Sequence, residues 1–423
     1  MTSEVLMLNK NAVVIAADSA VTTGRNPHPR YSKTANKIFD LSSHGNVALT
    51  IYASAEIDNV PWELALKQFR QQDANNLQRP KLDDYVDALN AYLQGNTYLF
   101  PTPVQSSLLN SRIYAGVLYV LNIIKNTHPD FNDDTKTGAD RMSAWSSGYT
   151  VFSSKLAKEA YQFPLTEIDH QMILTNKANF ETLLMNEGNE LVKFTDVGQL
   201  TLLAIEALVK HPTNFLNYTG LVYAGYGSDE IFPSINHVWV YGHIGNTLLW
   251  TQNNKFTITH NNDAWIQPFA QSSLIDRFTD GFDSTLKNII SEESEESFRK
   301  VISELQASGL DVDTSVLNAI VSKQHIEFME KWTQKNWDVN FHPLRRVLNS
   351  LSVSEMGHLA ESLLVLEALR ERVTSPSESI GGPIDVAVIT KSEGLIWLKR
   401  KHFFEADMNI KYLNRTKLNY NQN

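Results

Sequence analysis

Thr2, Asp18 and Lys37 are the residues whose types and spacing could do chemistry together. A hydroxyl is a weak nucleophile until a base takes its proton. A terminal threonine carries such a base in its own α-amino group, which titrates near neutral pH. Met1 must first be removed, and a small second residue such as threonine permits removal. A lysine ammonium nearby would tune the proton equilibria around it, and a carboxylate would hold that lysine in place. Taken singly each residue has an ordinary reading: a terminal threonine, a turn aspartate at a strand end, and a solvated lysine.

Two strands must position these groups. Val5 to Leu8 and Ala12 to Ala17 are short apolar runs around the polar turn Asn9–Lys10–Asn11, the pattern of a hairpin. Asp18 closes the second strand and returns beside the start of the first. Lys37 stands before the apolar "IFDL" and can lie on an adjacent strand.

Other chemistries find little support. The chain has no cysteine, so disulfides, thiolate catalysis and cysteine-based zinc sites are excluded, which fits a cytoplasmic protein. No HExxH or GxSxG motif occurs, and "DFNDDTKTGADR" lacks the glycine and glutamate of a calcium loop. "GYGSDE" is too short for a dinucleotide fingerprint and reads as a tight turn. His211, His237, His243, His260 and His342 read as surface or hydrogen-bonded histidines, with no metal site and no cofactor expected. The net charge of −10 argues against a nucleic-acid partner. No apolar stretch reads as long enough for a membrane span, and the N-terminus lacks the pattern of a signal peptide, so no membrane partner is expected.

Blocks of strands alternate with blocks of helices over the 423 residues. Strands are expected at "KIFDLS", "NVALTIYAS", "TGLVYAGYG", "HVWVYGHI", "NTLLWTQ" and "KFTITH". "GGPIDVAVIT" and "GLIWLKRKHFF" read as a final hairpin. Helices are expected from Pro61, across "LDDYVDALNAYLQG" and "DVGQLTLLAIEALVKHP", and through most of 270–372. Residues 100–195 are mixed. Blocks of this kind favour antiparallel sheets covered by helices over alternating βαβ units, an α+β class.

Residues 2–72 resemble the start of a proteasome β-type subunit, an N-terminal-nucleophile hydrolase. "NAVVIAADSAVTTG" and "NKIFDL" match that family's opening, which puts Thr2 on the nucleophile, Asp18 on the acidic position and Lys37 on the lysine position. "TIYASAEIDNVPWELALKQF" resembles the next element, with Ser54 on a glycine position whose backbone N–H serves the oxyanion, and Asp58 following. "LVYAGYGSDEIF" and "LEALRERV…IGGPIDVAVITKSEG" resemble later elements, although the family's serine falls on Tyr226. Its further acidic and serine positions fall in a lengthened loop near Ser377, Glu378 and Ser379.

The resemblance implies a four-layer αββα sandwich of two antiparallel sheets in one domain, 1–423. Mainly helical insertions would occupy about 100–200 and 265–350. It implies a threonine hydrolase cleaving peptide bonds in a peptide or protein substrate, with catalytic residues Thr2, Asp18, Lys37 and Ser54. Replacing Lys37 by alanine would abolish acylation and leave the fold intact. A non-catalytic structural subunit and an amidase for a small amide remain open alternatives, as do a homo-oligomer and an ATPase partner.

Overall fold

The computed structural model describes residues 3–23, 30–42, 46–73, 78–186, 188–309, 313–374, 380–402, 404–405, 407–411 and 414. Thr2 and the loop with Ser377, Glu378 and Ser379 lie outside the described residues.

The chain opens with β1 (Ser3–Asn9) and β2 (Ala12–Ala17), the short pair β3 (Val21–Thr23) and β4 (Arg30–Ser32), then β5 (Ile38–Asp40) and β6 (Val47–Tyr52). A small hairpin, β7 (Glu56–Ile57) and β8 (Val60–Pro61), leads into α1 (Trp62–Gln72) and α2 (Leu82–Gly95). Five helices follow: α3 (Thr102–Thr127), α4 (Gly138–Leu156), α5 (Glu167–Leu174), α6 (Lys177–Asn186) and α7 (Val197–Lys210). Then come β9 (Thr219–Gly225), β10 (Ser234–Ile244), β11 (Thr247–Thr257) and β12 (Ala264–Ala270). Helices α8 (Ser273–Asp280), α9 (Ser284–Ala307), α10 (Thr314–Asn336), α11 (His342–Ser350) and α12 (Val353–Thr374) precede the final hairpin, β13 (Asp385–Thr390) and β14 (Gly394–Lys399).

Two five-stranded sheets form, ordered β12-β1-β2-β13-β14 and β11-β10-β9-β6-β5. Every pairing in both is antiparallel. The sheets face each other through Leu6, Leu8, Val13 and Ile15 on one side and Ala48, Tyr52, Val222 and Ala224 on the other. The alternate residues point outward: Val5, Met7 and Val14 pack on Met356, Ala360 and Leu363 of α12. Across the molecule, Leu49, Leu221 and Tyr223 pack on Trp62 and Phe69 of α1 and Leu82 and Leu89 of α2. With both faces covered, β1 and β2 are buried along their whole length. That is why they read as near-continuous apolar runs rather than as alternation. The chain is thus α+β, with two antiparallel sheets layered between helices.

Three expectations need correction. "NTLLWTQ" and "KFTITH" read as two strands but their residues 247–257 form one, β11, with register irregularities where it pairs β10. Strand β12 was not anticipated, because Pro268 reads against a strand. Proline is tolerated at a sheet edge, and β12 is the edge strand beside β1. Finally, one helix, α3, is long and apolar enough to cross a membrane by length and composition. Here it lays Ile113, Val117, Val120 and Ile124 against α7, with Gly116 so close that a Cβ would stand 2.8 Å from the Ala204 carbonyl oxygen.

Candidate functional site

Asp18 is nearly fully buried just after β2 and accepts four hydrogen bonds. Its Oδ1 takes the Ser3 N–H at 3.0 Å and the Lys37 ammonium at 2.5 Å. Its Oδ2 takes the Ala20 N–H at 3.2 Å and the Gly381 N–H at 3.0 Å. Antiparallel pairing of β1 with β2 places Asp18 beside the first turn of backbone, since Ala17 lies opposite Glu4. Lys37 reaches it from the residue before β5, held there by Ile51 N–H donating to the Lys37 carbonyl at 3.1 Å. The side chains of Asp18 and Lys37 are 1% and 4% exposed. A pair so desolvated persists only with good geometry and satisfied lone pairs, which these four donors supply. The structure therefore brings Asp18 and Lys37 together at the start of β1.

Ser54 sits beyond the end of β6, half-buried. Its N–H donates to the Tyr52 carbonyl at 3.1 Å across Ala53, whose φ is +69°. A two-residue hydrogen bond about a positive φ is the strained form of γ-turn, and such backbone strain concentrates at functional sites. The Ser54 hydroxyl donates to the Glu56 carbonyl at 2.8 Å. Asp58 and Asn59, both at positive φ, make the turn of the β7–β8 hairpin that follows.

Asp58 anchors that hairpin. It accepts from the backbone N–H of His243 at 2.9 Å, meets His243 Nδ1 at 2.7 Å, and is paired with Arg112 of α3. Burial alone would raise its pKa, but the His243 hydrogen bond and the Arg112 charge override that and hold it below the ordinary carboxylate value. Both the Arg112 and His243 contacts escaped the sequence reading, because they join residues far apart in the chain. Tyr226 is elsewhere. Its hydroxyl donates to the Asn11 carbonyl at 3.2 Å, in the turn at the opposite end of the β1–β2 hairpin from Ser3. The likeness of "LVYAGYGSDEIF" to a site element is corrected accordingly. The segments that do close on Ser3 are the end of β12, where Ala270 pairs with it, and the Gln271 carbonyl, which accepts from the Ser3 hydroxyl at 2.9 Å.

Glu4 is the other residue the sequence reading passed over. It is fully buried, and neither carboxyl oxygen has a hydrogen-bond partner among the described residues. Burial pushes its pKa up to about 8, while the charge of Lys37 and the neighbouring Thr50 hydroxyl pull the other way. Glu4 thus keeps its proton at pH 7 in the folded chain and loses it in the unfolded one. A pKa raised on folding gives stability that is complete below the unfolded value of 4.5 and is lost as pH climbs towards 8. Glu4→Gln is expected to be more stable than the parent at pH 8 by on the order of a few kcal/mol, with the difference shrinking towards pH 4.5. Urea unfolding at pH 5 and pH 8 measures this; an equal difference at both would refute it.

Among the described residues no group of three or more His, Asp or Glu side chains is placed to hold a metal ion.

No family model matches the chain, and no curated protein matches it. Solved structures align with it along its length. Anbu (ancestral beta-subunit) from Yersinia bercovieri covers 100% of this chain and 97% of its own at 10% identity, with a TM-score of 0.28. A Gly-1 mutant of Anbu from Hyphomicrobium sp. strain MC1 covers 100% and 98% at 7% identity, again with a TM-score of 0.28. The helical assembly of the Anbu complex from Pseudomonas aeruginosa gives 99%, 95%, 8% and 0.27. Likeness this slight supports no argument about fold, site or function. The aligned chains are Anbu proteins, a family distinct from the proteasome β-type subunits that residues 2–72 resemble. Membership of that subunit family is not shown, and the resemblance is corrected to that extent.

Proposed function

We propose that the chain is a hydrolase of peptide amide bonds, with Thr2 as nucleophile once Met1 has been removed. One observation carries the reading: the buried Asp18–Lys37 pair is hydrogen-bonded to the N–H of Ser3, the residue next to Thr2. A buried ion pair is costly to maintain, and a plain strand end has no use for one.

In this mechanism the Thr2 hydroxyl oxygen attacks the substrate carbonyl carbon while the Thr2 α-amine accepts the hydroxyl proton. Collapse of the tetrahedral intermediate breaks the C–N bond, and the proton passes to the leaving amine. Water then attacks the ester, the amine again takes a proton, and the acid is released with the threonine hydroxyl restored. Lys37 keeps the site cationic and favours the free-base amine, and Asp18 fixes Lys37 and the backbone of Ser3. The Ser54 N–H would face the oxyanion after turning from the Tyr52 carbonyl.

A second reading, a non-catalytic subunit, draws on that last point, since the Ser54 N–H is already engaged. Intact mass separates the two in part. The hydrolase reading expects purified protein without Met1, and retention of Met1 in protein that reacts with an electrophile would sink the amine as base.

A further inference from the structure

A cleft of about 250 Å³ opens beside the start of β1, between edge strand β12 of one sheet and strands β10 and β11 of the other. Tyr52, Phe256, Trp265 and Phe269 give it aromatic walls. Its polar groups are the imidazole of His237, the hydroxyls of Tyr52 and Ser272, and the carboxamides of Asn253, Asn254 and Gln267. Among the described residues no Asp, Glu, Lys or Arg lines it.

The polar groups form a neutral chain. Trp239 Nε1–H donates to the Tyr52 hydroxyl at 3.0 Å, and that hydroxyl lies 2.7 Å from His237 Nε2. The Asn253 amide nitrogen donates to His237 Nδ1 at 3.1 Å, so the imidazole proton sits on Nε2 and is donated to the Tyr52 hydroxyl. Burial lowers the His237 pKa to about 4, so the ring stays uncharged at neutral pH.

The aromatic walls do not make a cation cage. Phe256 and Trp265 are stacked on each other with centroids 4.4 Å apart, and Tyr52 and Phe269 are tilted by 32° with centroids 6.0 Å apart. Faces spent in this way are not open to an ammonium, whereas the remaining ring edges and faces suit another aromatic group. An unpaired charge entering the cleft would lose hydration with no counter-ion to receive it. The volume falls below that of sites that enclose a whole drug-sized ligand, so one side chain is the fitting occupant.

The cleft also adjoins the candidate site on two sides. Ala270, at its rim, pairs with Ser3, and the carbonyl of Tyr52, in its wall, accepts the Ser54 N–H. We infer that this cleft is a specificity subsite that receives one uncharged aromatic side chain of the peptide substrate and turns charged side chains away. The inference rests on the hydrolase reading above, but binding to the cleft needs no turnover.

The test is binding of Nα-acetyl-phenylalaninamide and Nα-acetyl-lysinamide to the full chain carrying Thr2→Ala, followed by saturation-transfer NMR titration. The phenylalanine probe is expected to bind at least tenfold more tightly than the lysine probe. Gln267→Glu adds one carboxylate without changing shape and keeps the acceptor that Trp265 Nε1–H uses at 3.2 Å. It should shift the ratio at least tenfold towards the lysine probe. Equal binding of the two probes, no binding of the phenylalanine probe, or an unchanged ratio in Gln267→Glu would overturn the assignment. Loss of Thr2 labelling in the parent chain, with probe selectivity intact, would count against the nucleophile and leave the cleft's selectivity standing.

Discussion

Lys37→Met is expected to cost about 3–5 kcal/mol of stability, because it strands a buried carboxylate whose charge partner is gone. Asp18 is 1% exposed in its side chain and would keep three backbone N–H donors but lose its only cation among the described contacts. Adding Asp18→Asn to the same chain should recover a large part of the loss, since the uncompensated charge disappears with it. Urea unfolding of the parent, both single variants and the double variant gives the coupling directly. A loss below about 1 kcal/mol for Lys37→Met would match a solvated surface pair and contradict the buried geometry. The burial also corrects the expectation that Lys37→Ala would leave the fold intact. Any loss of acylation in a Lys37 variant must therefore be read at a temperature where the variant is folded.

Thr2→Ala is expected to lower hydrolysis by at least about 10³-fold, the scale on which loss of a nucleophile is felt. The melting temperature should hardly move, because one hydroxyl contributes on the order of 1 kcal/mol or less. Thr2→Ser keeps both a hydroxyl and an amine and should retain measurable activity. This contrast separates chemistry from folding: Lys37→Met changes both, Thr2→Ala changes only the chemistry. Thr2→Ala with parental activity would remove the threonine from the mechanism.

The paired strands at the start were legible because burial on both faces writes itself as an unbroken apolar run, and Ala12–Ala17 is one. The return of Asp18 beside Ser3 was legible from strand order, since a hairpin brings residue 18 back beside residue 3. Lys37, however, comes from the start of β5 at the edge of the facing sheet and not from a strand adjacent to that hairpin. Glu4 was not, because a charged residue near a terminus reads as solvated, and only the second sheet closing over β1 buries it. Strand β12 was hidden by Pro268, and with it the cleft whose wall it forms. The Asp58–Arg112–His243 cluster joins a hairpin turn, an inserted helix and a distant strand. Nothing in local periodicity marks such a contact. Tyr226 shows the reverse failure, in which a glycine-rich strand end resembles a site element yet lies at the far end of the hairpin.

The central claim is that Thr2 is the nucleophile, and covalent trapping tests it most directly. A peptidyl electrophile should add its mass once to the chain, and fragmentation should place the adduct on an N-terminal Thr2 freed of Met1. Labelling by small amide analogues alone would move the substrate from peptide to small amide. An adduct on another residue, or no adduct in folded protein that lacks Met1, would contradict the account.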